Sequence, residues 1–147
     1  MSRETERVLL MAHFEQTWDS ADGPVAYPNH EFKTPKDSLF AVVSIVDRGS
    51  SRESLGQTYY KKHRGTLQVD IYTPLNRGIR PARVIADRLE SVYDSLELVT
   101  SDSQRVSFYT PTAREIGGNE ARAANLEDNW SRYVVEFPFI RHEVFVK

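Results

Sequence analysis

Residues 66–73 alternate strictly between apolar and polar side chains, and this pattern constrains the fold more than any other segment. Leu67, Val69 and Ile71 would share one face of an extended chain, which is typical of a half-buried strand. A turn at 74–78 follows, and a helix pattern runs from Pro81 to about residue 96. Its apolar side chains recur at intervals of four, three and four, at Ile85, Leu89, Val92 and Leu96. A strand followed by an amphipathic helix predicts a sheet with a helix packed across one face.

The remaining elements extend this prediction. A helix is expected from Ser2, a suitable N-cap, to about residue 19. Residues 38–47 are almost all apolar or β-branched, which is typical of a strand buried on most of both faces. Strands are also expected at 104–110 and 130–146, and Pro138 in the last one predicts a bulge, a bend or an edge position.

We therefore predict an α+β fold in a single domain spanning 1–147. Two helices pack on a mostly antiparallel, mixed sheet of five to six strands. Long polar loops are expected at about 47–56, where 48–53 reads as a hairpin tip, and at 111–129. Loops longer than chain closure requires often carry contacts to other molecules.

Composition excludes several classes of protein. The net charge of −2 lacks the excess of basic residues typical of polymer-binding proteins. The absence of cysteine excludes disulfides, a thiolate nucleophile and cysteine-based metal sites. No signal-peptide pattern and no apolar run of membrane-spanning length occurs, so we expect a soluble intracellular or assembly protein.

Sites for chemistry are sparse. The four histidines lie in four different predicted elements, without the spacing of a zinc site. Two strand carboxylates, Asp70 and Glu136, could form an acid/base pair with a histidine, although solvent exposure explains both of them equally well. No nucleophile elbow and no phosphate-binding glycine pattern is present. We expect no enzyme activity, no metal and no cofactor; the alternative is a small ligand-binding or enzymatic domain using Asp70, Glu136 and a histidine.

The basic cluster at 61–64 follows Tyr59 and Tyr60, a combination that could stack and neutralise single-stranded nucleic acid. A charged strand also protects a sheet edge from aggregation or forms a polar contact surface, and we favour that interpretation. We expect no specific nucleic-acid binding.

Several motifs resemble the tail-terminator-like family of tailed phages and prophages, related to the lambda-type tail terminator. The central block HRGTLQVDIYTP at 63–74 is followed by Gly78, Ala82 and the IADRL helix motif at 85–89. The closing WSRYVVEFPF at 130–139 is similar to the family's last strand. The segment with Trp18, the YPN motif at 27–29 and Phe32 is similar to the one after its first helix.

The resemblance implies a structural virion protein that forms a ring, commonly a hexamer. Such a ring caps the finished tail tube, stops further tube-protein addition and presents a surface for joining the head. Its implied partners are copies of itself, the tail tube protein and head–tail connector proteins, with no membrane. Its implied location is the virion tail, with assembly in the host cytoplasm. A head-closure or neck adaptor protein is the alternative within the same system.

A ring requires head-to-tail contacts, in which one patch of a subunit meets a different patch of its neighbour. Charge is concentrated on the two predicted loops. We therefore predict that a set of loop residues lies in or beside inter-subunit or tube-facing surfaces: Arg48, Arg52, Glu53, Arg114, Glu115 and Arg122.

Overall fold

The computed structural model describes residues 1–53, 56–74, 78, 80–100, 104–116 and 130–146. Two helices, α1 (Arg3–Thr17) and α2 (Arg80–Tyr93), lie against one sheet. Within the described residues the sheet has seven strands: β1 (Val25–Ala26), β2 (Phe40–Arg52), β3 (Thr58–Pro74), β4 (Glu97–Val99), β5 (Arg105–Phe108), β6 (Thr112–Ile116) and β7 (Trp130–Val146).

The strand order is β1-β2-β3-β7-β5-β4, and β6 also pairs with β7. Every pairing is antiparallel except β1 with β2, so the predicted α+β class and the mostly antiparallel, mixed sheet are confirmed. The predicted five to six strands are fewer than the seven observed. The two strands that the sequence pattern missed are β4 and β6, which are three and five residues long.

Local backbone features explain where α1 begins and where α2 ends. Ser2 caps α1 by accepting a hydrogen bond from the Thr5 amide at 3.1 Å. Helix α2 ends at Tyr93, earlier than the predicted residue 96, because Ser95 adopts a positive φ of 58°. That left-handed backbone conformation terminates a helix.

The core lies between the two helices and one face of the sheet. The face of β3 predicted from alternation is fully buried, since Leu67, Val69 and Ile71 are all 0% exposed. Helix α1 contributes Leu10 and Phe14 to the same core. We call this side of the sheet the helix face and the other side the outer face.

Residues 47–52 of the first predicted loop are paired strand, because β2 continues to Arg52 opposite β3. Strand β3 is likewise continuous through Gly65. The basic cluster at 61–64 lies in this interior strand, paired with β2 on one side and β7 on the other. Edge protection is therefore the wrong explanation for these charges.

Within the second predicted loop, residues 112–116 form β6, and residues 117–129 lie outside the described part of the chain. No helix among the described residues is long and apolar enough to span a bilayer.

Candidate assembly surfaces

Irregular features of strands β2, β3 and β7 lie at one level of the sheet. An extra residue, Arg48, interrupts the β2–β3 pairing, and Gly49 beside it has a φ of 109° that favours glycine. In β3, Gly65 lies beneath the ring of Phe139, where a Cβ atom would come within 2.6 Å of ring carbon. Beyond this level the three strands continue as the distal ribbon, comprising residues 49–52, 58–64 and 140–146.

Pro138 marks the same level in β7. Its carbonyl accepts a hydrogen bond from the Tyr109 amide at 2.9 Å. Because the carbonyl and the amide of one residue in an antiparallel strand lie on the same side, the donor that proline lacks is lost on the side of β5 and β6. On that side β5 ends at Phe108, and β6 resumes pairing at Thr112 opposite Glu136 after a one-residue shift of register. The extra residue of this shift lies in 109–111, whereas β7 continues through Pro138 in unbroken register with β3. The interruption predicted at Pro138 is therefore found in the pairing on one side of β7, and a bulge or bend of β7 itself stays a prediction.

Arg52 lies at the tip of the distal ribbon. Its guanidinium carbon is 3.9 Å from the centre of the Tyr59 ring, which is a cation–π geometry. The same side chain donates a hydrogen bond to the Gly56 carbonyl at 2.7 Å. These contacts hold an exposed positive charge over the turn.

Glu53, beside Arg52, bridges two other strands. Its carboxylate lies 3.7 Å from Lys62 Nζ in β3 and 3.2 Å from His142 Nε2 in β7. These three side chains share the outer face of the ribbon and cross it from the end of β2 to β7. The predicted surface residue Glu53 is thus part of a polar cluster that spans the ribbon.

Arg48 is exposed at the bulge, and its Nε lies 3.3 Å from Thr66 Oγ1. This contact turns Arg48 toward the outer face. It stands between the ribbon and the main body of the sheet.

The second predicted group lies at the other end of β7. Arg114 and Glu115 are exposed on β6, paired with Val134 and Tyr133, while Arg122 is outside the described residues. Position 134 is nine residues along β7 from Glu143, the residue level with the ribbon tip, or about 30 Å at 3.3 Å per residue. The structure therefore places Arg52 and Glu53 on one surface and Arg114 and Glu115 on another.

The sequence analysis missed a buried charge network at the base of the distal ribbon. Arg141 is 2% exposed, and its Nε lies 3.0 Å from Oε1 of Glu6 in α1. The guanidinium also donates to the Met1 carbonyl and lies 3.3 Å from Glu143 Oε2. Burial raises the pKa of Glu6 above its ordinary value, and the nearby Arg141 opposes that shift. The network joins the first turn of α1 to the last strand.

His63 completes this network from β3, with its Nε2 at 3.0 Å from Glu143 Oε2. Burial and the positive charge of Arg141 lower the pKa of His63, and the Glu143 carboxylate opposes them. One signal in the sequence could have revealed the network. Arg141 continues the alternating apolar positions of β7, where a charged residue must be paired when it is buried.

The carboxylates proposed for the enzymatic alternative have structural partners. Asp70 is 8% exposed, which corrects the expectation of solvent exposure, and its carboxylate accepts hydrogen bonds from Arg132 at 3.0 Å and Gln68 at 3.1 Å. Glu136 lies nearby on the outer face, directly opposite Gln68 in the ladder. Among the described residues, no hydrogen bond joins a histidine to Asp70 or Glu136, and no group of three potential metal ligands occurs.

The residues proposed for nucleic-acid stacking are divided between two faces, because successive strand residues point in opposite directions. Tyr59 and Lys61 share the helix-face side of the ribbon, and Tyr60 and Lys62 share the outer side. The Tyr59 ring is covered by Arg52, and Lys62 pairs with Glu53. This arrangement favours a polar contact surface over a continuous stacking platform.

A comparison with known protein families identifies the family of this chain. A family model described as phage tail terminator protein matches residues 7–124, from α1 into the segment after β6. This chain belongs to that family. The tail terminator family is structural, which assigns the chain to the phage tail and to virion assembly.

The comparison with solved structures concerns the fold of this tail terminator alone. One solved chain, whose name states no function, superposes with a TM-score of 0.60 at 23% sequence identity, and the alignment covers 96% of each chain. No curated protein matches the sequence. The shared fold therefore extends over nearly the whole chain.

Proposed function

We propose that this tail terminator forms a ring on the end of the tail tube, blocks further tube-protein addition and offers a surface for joining the head. The observation that carries the proposal is the family match over residues 7–124. The output of such a protein is shape complementarity, so it needs neither a catalytic residue nor a cofactor. Its partners would be copies of itself, the tube protein and head–tail connector proteins, met in the host cytoplasm during assembly.

The charged surfaces support specific contacts. A ring on a tube needs one surface that meets neighbouring copies and another that meets the tube. The tip of the distal ribbon, with Arg52, and the β6 surface, with Arg114 and Glu115, lie about 30 Å apart along β7 and could serve the two roles separately. Arg48 lies between them at the bulge. Complementary charges of this kind set specificity and association rate.

Purified protein should inhibit elongation when it is added to tube protein polymerising in vitro, and native mass spectrometry should detect a closed ring. We expect the double charge reversal Arg48→Glu with Arg52→Glu to weaken ring formation or capping at least tenfold. Arg80→Glu with Arg83→Glu, which reverses two exposed arginines on α2 away from both surfaces, is the matched control.

If capping survives charge reversal of the predicted residues on both surfaces, these residues do not form the contacts that the proposal assigns to them. A chain that leaves tube growth unaffected but binds the head connector would instead be a neck adaptor.

A further inference from the structure

The sheet has an open edge along β2. The Ala41 amide donates to the Pro24 carbonyl at 3.1 Å, so odd-numbered residues of β2 before the bulge direct their backbone groups away from β3. Strand β1 pairs only as far as Val42. In the described part of the chain no strand covers the backbone of Ile45 and Asp47. A groove of about 390 Å³ runs along this edge, bordered by Pro28 and the first turn of α1.

The opposite end of the sheet is strand β4, and it is also open. The Thr100 amide donates to the Gln104 carbonyl, and the Leu96 carbonyl accepts from the Phe108 amide. The backbone N–H and C=O groups of the even-numbered residues around β4 therefore point toward β5. The backbone groups of Glu97 and Val99 therefore point outward, where no described strand pairs with them. Val99 is 52% exposed, although valine is usually buried.

The two edges match in direction. Two antiparallel pairings lead from β2 to β7, a third leads to β5 and a fourth leads to β4, so β4 runs parallel to β2. A parallel strand already lies on β2 in the form of β1, so this edge accepts a neighbour in that direction. In one parallel register the Val99 amide would donate to the Ile45 carbonyl, the Val99 carbonyl would accept from the Asp47 amide, and the Glu97 carbonyl would accept from the Ile45 amide.

The side chains also match in this register. Val99 would lie directly opposite Val46. Both side chains point to the outer face, because the adjacent residues in their own strands, Leu98 and Ile45, point to the buried helix face. Val46 is only half-buried within one chain. Two partly exposed valines would thus cover each other across the junction.

We propose that β4 of one copy adds in parallel to the open edge of β2 of the next copy, so that the sheets of neighbouring subunits are continuous around the ring. The inference rests on the proposed ring and specifies how its subunits join. The partner is a second copy of this chain, and the contact is head-to-tail, as closure of a ring requires.

Cysteine cross-linking tests the junction directly, because the natural chain contains no cysteine. The variant Val46→Cys with Val99→Cys is treated with a short bismaleimide, both as purified protein and on recovered tails. Within one chain the two positions are four strand spacings apart, about 19 Å around the sheet, so linkage should occur between copies. The matched control is Val46→Cys with Val84→Cys, since Val84 is an equally exposed valine on α2.

We expect a ladder of covalent oligomers that ends at the ring size for the first variant, with at least tenfold less product for the control. Rings seen by native mass spectrometry without this ladder, or with equal linkage in the control, would overturn the junction and leave the proposed function standing. Absence of any ring, in solution and on tails, would overturn both.

Discussion

Removing the guanidinium of Arg141 should destabilise the chain strongly, because it leaves the Glu6 carboxylate buried without its main positive partner. Both side chains are at least 95% buried and lie 3.0 Å apart. Breaking a buried ion pair on one side costs about 3–5 kcal/mol, since an uncompensated charge remains. For a domain of this size each kcal/mol shifts the Tm by about 2–4 °C, so Arg141→Ala should lower the Tm by roughly 6–20 °C.

The charge explanation can be separated from simple loss of packing. The double variant Glu6→Leu with Arg141→Met replaces the pair by apolar side chains of similar length, which is often neutral or stabilising for buried pairs. Differential scanning calorimetry at pH 7 should therefore show the double variant melting well above Arg141→Ala. Equal melting temperatures for the two variants would refute the reasoning.

The pH dependence provides a second check. Burial already raises the pKa of Glu6 above 4.5 in the folded chain, and loss of Arg141 removes the main opposing influence. A raised folded pKa gives stability that is complete below the unfolded value and is lost as the pH rises through the folded value. The defect of Arg141→Ala should therefore shrink when the pH is lowered from 7 to 4; a constant defect would contradict the assignment.

Three further outcomes are expected. Gly65→Ala should cost about 1–3 kcal/mol in urea unfolding, because the added methyl meets the buried Phe139 ring, and Phe139→Leu should recover part of that loss. Burial lowers the pKa of His63 in the folded chain, so its contribution to stability is complete above pH 6.5 and is lost as the pH falls through the folded-state pKa. His63→Gln should therefore flatten the dependence of Tm on pH between pH 7 and 5, even though His13, whose pKa is also lowered by burial, is retained. Ser2→Ala should lower the stability by about 1 kcal/mol through loss of the α1 cap, and Ser2→Asp, which can still cap the helix, should not.

The sequence pattern predicted the parts of this fold that are governed by local periodicity. Alternation in β3 and the 3.6-residue repeat of α2 identify the buried faces correctly, because each side chain's burial depends on its own element. The cap at Ser2 and the disruption at Pro138 were also predictable, since both follow from the chemistry of one residue.

The errors arose where pairing partners decide the structure. Residues 47–52 are polar and look like a loop, yet they are strand because β3 continues beside them. Strand β6 exists because β7 offers it an edge. Arg141 appeared to be an ordinary charged residue near the end of the chain, and its burial depends on Glu6, which is 135 residues away in the sequence.

The central claim is that this chain ends tail-tube growth, and tail length in its absence tests that claim most directly. Particles from a host producing all other tail components should be measured by electron microscopy, with and without this chain supplied in trans. We predict overlong tails without heads when it is missing, and restored length when it returns. Tails of normal length in its absence would contradict the account.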